Sequence, residues 1–236
     1  MDAALSQVNR PLSRQLQRYD KVLSQRNQLL RMIRERRAKE EELSFWDGEL
    51  VELGASITER RTESMEALKR YGDEAHRDLA GGQELELRYL PSISSVPGGT
   101  GLVEGFRRAL LDLREREVAR GISLIGPHRD DFEFLSMGRN LGIYGSRGQQ
   151  RTAALALKLA QAKHITEATG EQPVLLLDDA FSELDRERRN FMLGLVSGWE
   201  QAVLTTAELD SVDNEFRSTA TVMEVSKGCI SKRLGL

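Results

Sequence analysis

The most apolar short run in the chain ends in two adjacent acids. In VLLLDDAFSELD (174–185), an aliphatic stretch delivers Asp178 and Asp179 side by side. In open α/β sheets, ligands gather beyond the C-terminal tips of the strands. A carboxylate at such a tip can hold Mg²⁺ directly or through water, because Mg²⁺ keeps several waters and takes one or two protein oxygens plus substrate phosphates. The second acid is placed to orient an attacking water. Neighbouring carboxylates repel unless a cation or a proton relieves them, which makes a metal the natural partner. The plain alternative is an ordinary strand-to-helix turn, with Ser182 or Asp185 capping the following helix.

A second group with chemical potential is YGSRGQQR (144–151). Gly145 and Gly148 permit a tight turn that leaves several N–H groups facing outward at a helix start, an arrangement that accepts anions. Ser146 adds a hydroxyl and Gln149 a side-chain amide. Taken alone, the segment reads equally as a glycine-containing N-cap. A third cluster is His128, Arg129, Asp130 and Asp131. With Asp178 it would suit a metal-dependent hydrolase of unrelated type. The chain has only three histidines and no His-x-x-x-His pair, so the better reading is that Arg129 and the acids brace a turn. His76 and His164 read as surface or boundary residues. Trp46 and Trp199 read as packing anchors, since no aromatic run surrounds either.

These residues need elements to hold them. Residues 121–236 alternate short aliphatic runs with helical patterns, as an α/β layout does. Strands are expected at Gly121–Ile125, Val174–Leu177 (a buried parallel strand) and Gln201–Thr205. Hairpins are expected for Phe132–Leu135 with Leu141–Tyr144, and for Thr221–Val225 with Cys229–Arg233 around Lys227-Gly228. Helices are expected over Gln149–Ala168, stopped by Gly170, and over Asp185–Ser197. Upstream, Leu12, Leu16, Tyr19, Leu23, Leu30 and Ile33 follow a helical stripe with Arg26 in one slot. Leu50, Leu53, Ile57, Leu68 and Tyr71 form another. Two long helices folded back as a hairpin follow, joined through a stretch containing Phe45, Trp46 and Gly48. YLPSISSVPGGTG (89–101) reads as loop. The expected division is a helical arm over 1–90, a linker with a connecting helix over 91–120, and a C-terminal lobe over 121–236.

Charge separates the two arm helices. Residues 10–37 carry nine basic and two acidic residues, residues 38–87 fourteen acidic and six basic. The arms therefore pair electrostatically, or part of the basic face (Arg14, Arg18, Arg31) touches phosphates. Over the whole chain, 34 Lys+Arg against 37 Asp+Glu gives a formal charge of −3, unlike a general nucleic-acid glue. The single cysteine, Cys229, excludes a disulfide framework and a Cys-based zinc site. With no run of about 18 apolar residues and no signal-peptide layout, no membrane is involved and a cytoplasmic location is expected.

Order and distance add what single motifs lack. A Ser-x-Gly-Gln helix start, one helix, an aliphatic strand ending in paired acids and then Ser-x-x-Asp match the C-terminal lobe of ABC-type ATPase heads. The chain resembles the RecF family, bacterial recombination-repair ATPases related to SMC heads. The resemblance rests on IGPHRDDFEF (125–134), YGSRGQQRTAALALKLAQ (144–161), TGEQPVLLLDDAFSELD (169–185) and the strand at 201–206. RYDKVLSQRNQLL (18–30), FWDGELVELGASITERR (45–61) and LRYLPSI (87–93) also fit its arm. The fold this implies is α/β: a partial ABC-type head plus an α-helical hairpin arm.

The resemblance also implies roles. Ser146, Gly148 and Gln149 match the signature motif, which reaches the γ-phosphate of ATP bound to the other subunit of a homodimer. Asp178 matches the magnesium acid and Asp179 the acid that positions water. Ser182 through Asp185 match the D-loop, and Thr205 or Thr206 stands where related heads carry a switch residue. ATP and Mg²⁺ are the implied cofactors. The implied partners are DNA at junctions of single and double strands and RecO- and RecR-type proteins, in replication, recombinational repair and the SOS response.

One departure stands out. No Gly-x-x-x-x-Gly-Lys-Ser/Thr loop occurs anywhere in the chain, and Gly98-Gly99-Thr100-Gly101 has no lysine after it. The resemblance then covers the C-terminal two-thirds or so of such a protein, as a split gene, a frameshift, a mis-assigned start or a deliberate truncation would give. Without the phosphate cradle the isolated chain is expected neither to bind ATP tightly nor to hydrolyse it, and its sheet should expose an apolar edge. The alternative function is a nucleotide-independent module binding DNA or a partner.

Overall fold

The computed structural model describes residues 2–8, 10–94, 101–179 and 186–232. The apolar stripes form helices as their spacing requires. After a short α1 (Asp2–Val8), α2 (Arg10–Arg34) buries Leu12, Tyr19, Val22, Leu30 and Ile33 along one face. It packs antiparallel on α3 (Leu43–Leu79), whose Leu50, Val51 and Ile57 share its core. The turn between them lies at residues 35–42, where Arg36 takes a left-handed φ of 60°. Phe45, Trp46 and Gly48 therefore belong to the first turns of α3, not to the joint as the sequence suggested.

At 37 residues, α3 outlasts the arm. Its middle, Met65, Leu68 and Tyr71, packs with Ala160, and Leu79 reaches the core of the α/β part. The chain then forms β1 (Glu86–Leu90), unrecognised in the sequence, and α4 (Gly101–Arg120), which closes the arm core with Phe106 and Leu110.

Gly121–Ile125 is not a strand. Its Gly121 and Ile122 N–H groups close the end of α4 on the Glu117 carbonyl (2.8 and 3.3 Å), and the next two go to side chains, Ser123 N–H to Asn27 Oδ1 (2.7 Å) and Leu124 N–H to Glu117 Oε1 (2.7 Å). The apolar alternation there reflects burial among helices rather than a ladder. The hairpin partners also differ from expectation. β2 (Asp131–Ser136) pairs antiparallel with β1 on one side, Leu87 opposite Phe134, and with the two-residue β3 (Arg139–Asn140) on the other. Leu141–Tyr144 is instead a single helical turn, α5, because Asn140 Oδ1 caps it by accepting from Gly142 N–H (2.8 Å).

The remaining elements lie close to where the periodicity put them. α6 spans Arg147–Thr169 and ends at Gly170, whose φ of 75° suits a residue without a Cβ. β4 (Leu175–Leu177) runs parallel to β5 (Ala202–Leu204), with α7 (Arg186–Ser197) between them in the chain. Leu175 and Leu177 enter the core with Ala153, Ala156 and Leu159 of α6 and Met192, Leu193 and Val196 of α7. Leu176 is 72 % exposed and Val174 50 %, so β4 is covered on one face only, where full burial was expected. After α8 (Asn214–Thr219), the chain ends its described part in the hairpin of β6 (Met223–Ser226) and β7 (Cys229–Lys232).

Candidate functional site

The parallel pairing of β4 and β5 places the two acids. Leu177 lies opposite Leu204, and Thr205 N–H donates to Leu177 O (3.0 Å), so the next residues on each strand, Asp178 and Thr205, leave the sheet together. Both acids are exposed. The Thr205 hydroxyl donates to Asp178 Oδ1 and accepts from Asp179 N–H (3.0 Å). Asp179 itself adopts a left-handed φ of 47°, which turns the chain sharply after the strand. Thr206 serves a different turn: its hydroxyl exchanges bonds with the Glu208 carbonyl (3.3 Å) and N–H (3.2 Å). Ser182 and Asp185 lie outside the described residues.

The opposite member of the constellation is the mouth of α6. Ser146, extended at φ −62° and ψ 160°, is its N-cap. Its hydroxyl accepts from Gln149 N–H (3.3 Å), and Gln149 Oε1 accepts from Ser146 N–H (2.9 Å), a reciprocal capping box. Among the described residues, the Ser146 O–H and the Gln149 amide N–H₂ remain as donors. No acid occupies the first turn, although carboxylates are normally stabilising there, and Arg147 and Arg151 flank it in sequence.

Gly148 is not demanded by the fold. A Cβ built there would come no nearer than 3.9 Å to another atom. Gly145 is different, because a Cβ would sit 2.5 Å from the Leu141 carbonyl.

Sequence reasoning missed Gln150. Its Nε2 bonds the carbonyls of Leu141 (3.0 Å) and Gly145 (3.2 Å), tying the 141–145 turn to the helix that follows. A second glutamine in a first helical turn was the available signal. The α6 mouth and the β4 tip belong to one unit, since α6 and β4 share a core.

The His128 cluster braces the join between helices and sheet. Asp130 accepts from Arg61 (2.8 Å), from Ser92 N–H (2.8 Å) and from the Tyr89 hydroxyl, while Arg61 also pairs with Asp2 (2.7 Å). Arg129 donates to Ser123 O (3.0 Å). His128 sits between the Tyr19 hydroxyl at Nδ1 (2.8 Å) and the Ser123 carbonyl at Nε2 (3.3 Å). A carbonyl only accepts, so Nε2 carries the ring proton and Nδ1 accepts a hydrogen bond from the Tyr19 hydroxyl. Burial lowers the His128 pKa and favours this neutral form. Both ring nitrogens are spent, which removes the basis of the hydrolase reading. Among the described residues no group of three His, Cys, Asp or Glu could hold a metal ion.

His76, expected at the surface or a boundary, is buried at 2 % exposure with Nδ1 against the Gln83 carbonyl (2.9 Å). Trp46 and Trp199 pack partly buried against the two main cores. Arg14, Arg18 and Arg31 are all exposed on α2, and Arg18 pairs with Glu49 of α3. On α2 it is Arg26, in the odd slot of the stripe, that is buried. It reaches Asp47 (2.8 Å), Glu117 (2.6 Å) and Ser123 (2.7 Å).

No family model matches the chain. Among curated proteins it is 41 % identical over 233 residues to the DNA replication and repair protein RecF of Herpetosiphon aurantiacus, covering 98 % of this chain and 60 % of that protein. The RecF of Moorella thermoacetica is 41 % identical over 228 residues, covering 97 % and 60 %. The solved structure of the recombination mediator protein RecF with ATP, described in the RecFOR pathway, superposes with a TM-score of 0.82 at 33 % identity, covering 98 % of this chain and 61 % of that one. The expected fold, a partial ATPase head of this type with a helical arm, agrees with that superposition. Sequence and fold together make the chain a relative of the RecF proteins, corresponding to a C-terminal part of about three-fifths of their length.

Proposed function

We propose that this chain supplies the signature helix and the two acidic strand-tip residues of a RecF-type ATPase head, acting in DNA replication and recombinational repair. The supporting observation is the pair of exposed carboxylates, Asp178 and Asp179, at the open tip of a parallel strand pair whose core also carries α6. In this reading Asp178 holds Mg²⁺ and Asp179 orients water. The donor set fits a shared ion rather than a protein cage: one Asp178 oxygen is bonded to Thr205, leaving the other for a cation that takes its remaining ligands from phosphates and water. Bound there, Mg²⁺ neutralises charge developing on the phosphates. Ser146, Gly148 and Gln149 present donors and open space to a γ-phosphate across a homodimer, and by sequence alone Ser182 through Asp185 match the D-loop.

Since the sequence carries no glycine-lysine phosphate loop, ATP is held only with a P-loop segment from elsewhere. DNA at single-strand/double-strand junctions and RecO- and RecR-type proteins are the proposed partners, in the cytoplasm. The described residues include no helix long and apolar enough to cross a membrane.

The test mixes the chain with a separately produced P-loop segment of the Moorella relative and measures Mg²⁺-dependent ATP binding by equilibrium dialysis. Binding on mixing, absent from either piece alone and lost with Asp178→Asn, is the expected result. Equal binding by the Asp178→Asn mixture overturns the reading. A salt-sensitive DNA affinity that ignores ATP and drops on reversing Arg14, Arg18 and Arg31 would instead establish the nucleotide-independent module.

A further inference from the structure

Thr205 and Thr206 are alike in sequence but not in structure. Thr206 closes its own turn with Glu208. Thr205 is fixed at both ends, by its N–H on the Leu177 carbonyl and by a hydroxyl that touches two successive residues of the neighbouring strand tip. A hydroxyl has one proton to give and lone pairs to receive. Here the proton goes to Asp178 Oδ1, and the oxygen takes the Asp179 N–H. The β-branched side chain has few rotamers, so the geometry is set once the strand ladder forms.

We propose that Thr205 is a positioning residue: its one hydroxyl orients the Asp178 carboxylate and pins the left-handed turn at Asp179, fixing the directions of both acids. It acts through those carboxylates rather than by contacting a phosphate itself. The proposal rests on the reading of Asp178 as the magnesium acid. Three observations carry it: the hydroxyl's two bonds, the positive φ of Asp179, and the exposure of all three residues. Water can replace a bond at an exposed site, so a hydroxyl kept there for folding alone has little to contribute. Valine at 205 would preserve shape and strand preference while removing donor and acceptor together.

The test uses the ¹⁵N-labelled chain, with Mn²⁺ as a paramagnetic probe and amide hydrogen exchange as a second readout. In Thr205→Val, exchange at the Asp179 amide is expected to quicken at least tenfold. The Mn²⁺ concentration that half-broadens the Asp178 and Asp179 signals should rise at least threefold. Thr205→Ser restores both, Thr206→Val changes neither, and the thermal midpoint moves little in any of them. Unchanged Asp179 exchange in Thr205→Val overturns the proposal. So does Mn²⁺ broadening of equal strength in Thr205→Val and the unaltered chain, an outcome that leaves the magnesium reading standing. Faster Asp179 exchange with no Mn²⁺ effect even in the unaltered chain keeps the Thr205 clip and overturns the magnesium reading.

Discussion

Replacing Gln150 by alanine removes one side-chain amide and releases the carbonyls of Leu141 and Gly145 together. These bonds are partly solvated, so the expected loss is about 1 kcal/mol, measured as a lower urea midpoint with an unchanged slope. The local effect should be sharper, with faster amide exchange around 144–146 and little change at 155–162. At this scale the sequence was informative about chemistry and silent about partners. The acids at 178–179 could be read because a strand tip and a carboxylate pair are both visible in one dimension. That Thr205 would bind them could not, because the contact crosses 27 positions and depends on a parallel register. The roles of Gln149 and Gln150 divide in the same way. The first belongs to a local capping pattern, whereas the second reaches back into a turn whose shape the sequence left open.

Among elements, the arm is held by a buried ion network rather than by hydrocarbon alone. Arg26 and Glu117 are both fully buried and joined at 2.6 Å, and Asp47 bridges Arg26 to Arg114. Arg26→Met would leave Glu117 buried without its cation, at a cost of about 3–5 kcal/mol. The double variant Arg26→Met, Glu117→Gln should recover much of that loss, and chemical denaturation of the three proteins measures the difference. In sequence Arg26 looked like a fault in the stripe. A position that faces inward can carry charge when two other helices bring the counter-charges, and periodicity cannot show that. The missed β1 and the false strand at 121–125 share a cause. Glu86–Leu90 becomes a strand because β2 offers it a ladder, while at 121–125 the N–H groups of Gly121 and Ile122 are taken by the end of α4 and those of Ser123 and Leu124 by side chains.

For the molecule as a whole, three buried or half-buried histidines set a pH limit. Burial lowers the pKa of His76, His128 and His164. The unfolded chain, titrating near 6.5, then binds protons more readily than the folded one. Stability is therefore full above about pH 6.5 and declines as the pH falls toward the lower folded-state values. The thermal midpoint should drop between pH 7.5 and 5.5, and the drop should be shallower in His76→Gln. This could not be anticipated while His76 was read as a surface or boundary residue. It lies at the end of α3, where the helix has left the arm and entered the second core.

That continuity has a mechanical side. An α-helix of 37 residues is about 55 Å long at 1.5 Å per residue, and α3 runs unbroken from the arm's packing to the flank of α6. Its stiffness makes it a lever. A tilt of about 2° at one end sweeps the other by roughly 2 Å over that length, comparable to a change of hydrogen-bonding partner. A displacement of the arm is therefore expected to reach α6 where Met65, Leu68 and Tyr71 pack on Ala160.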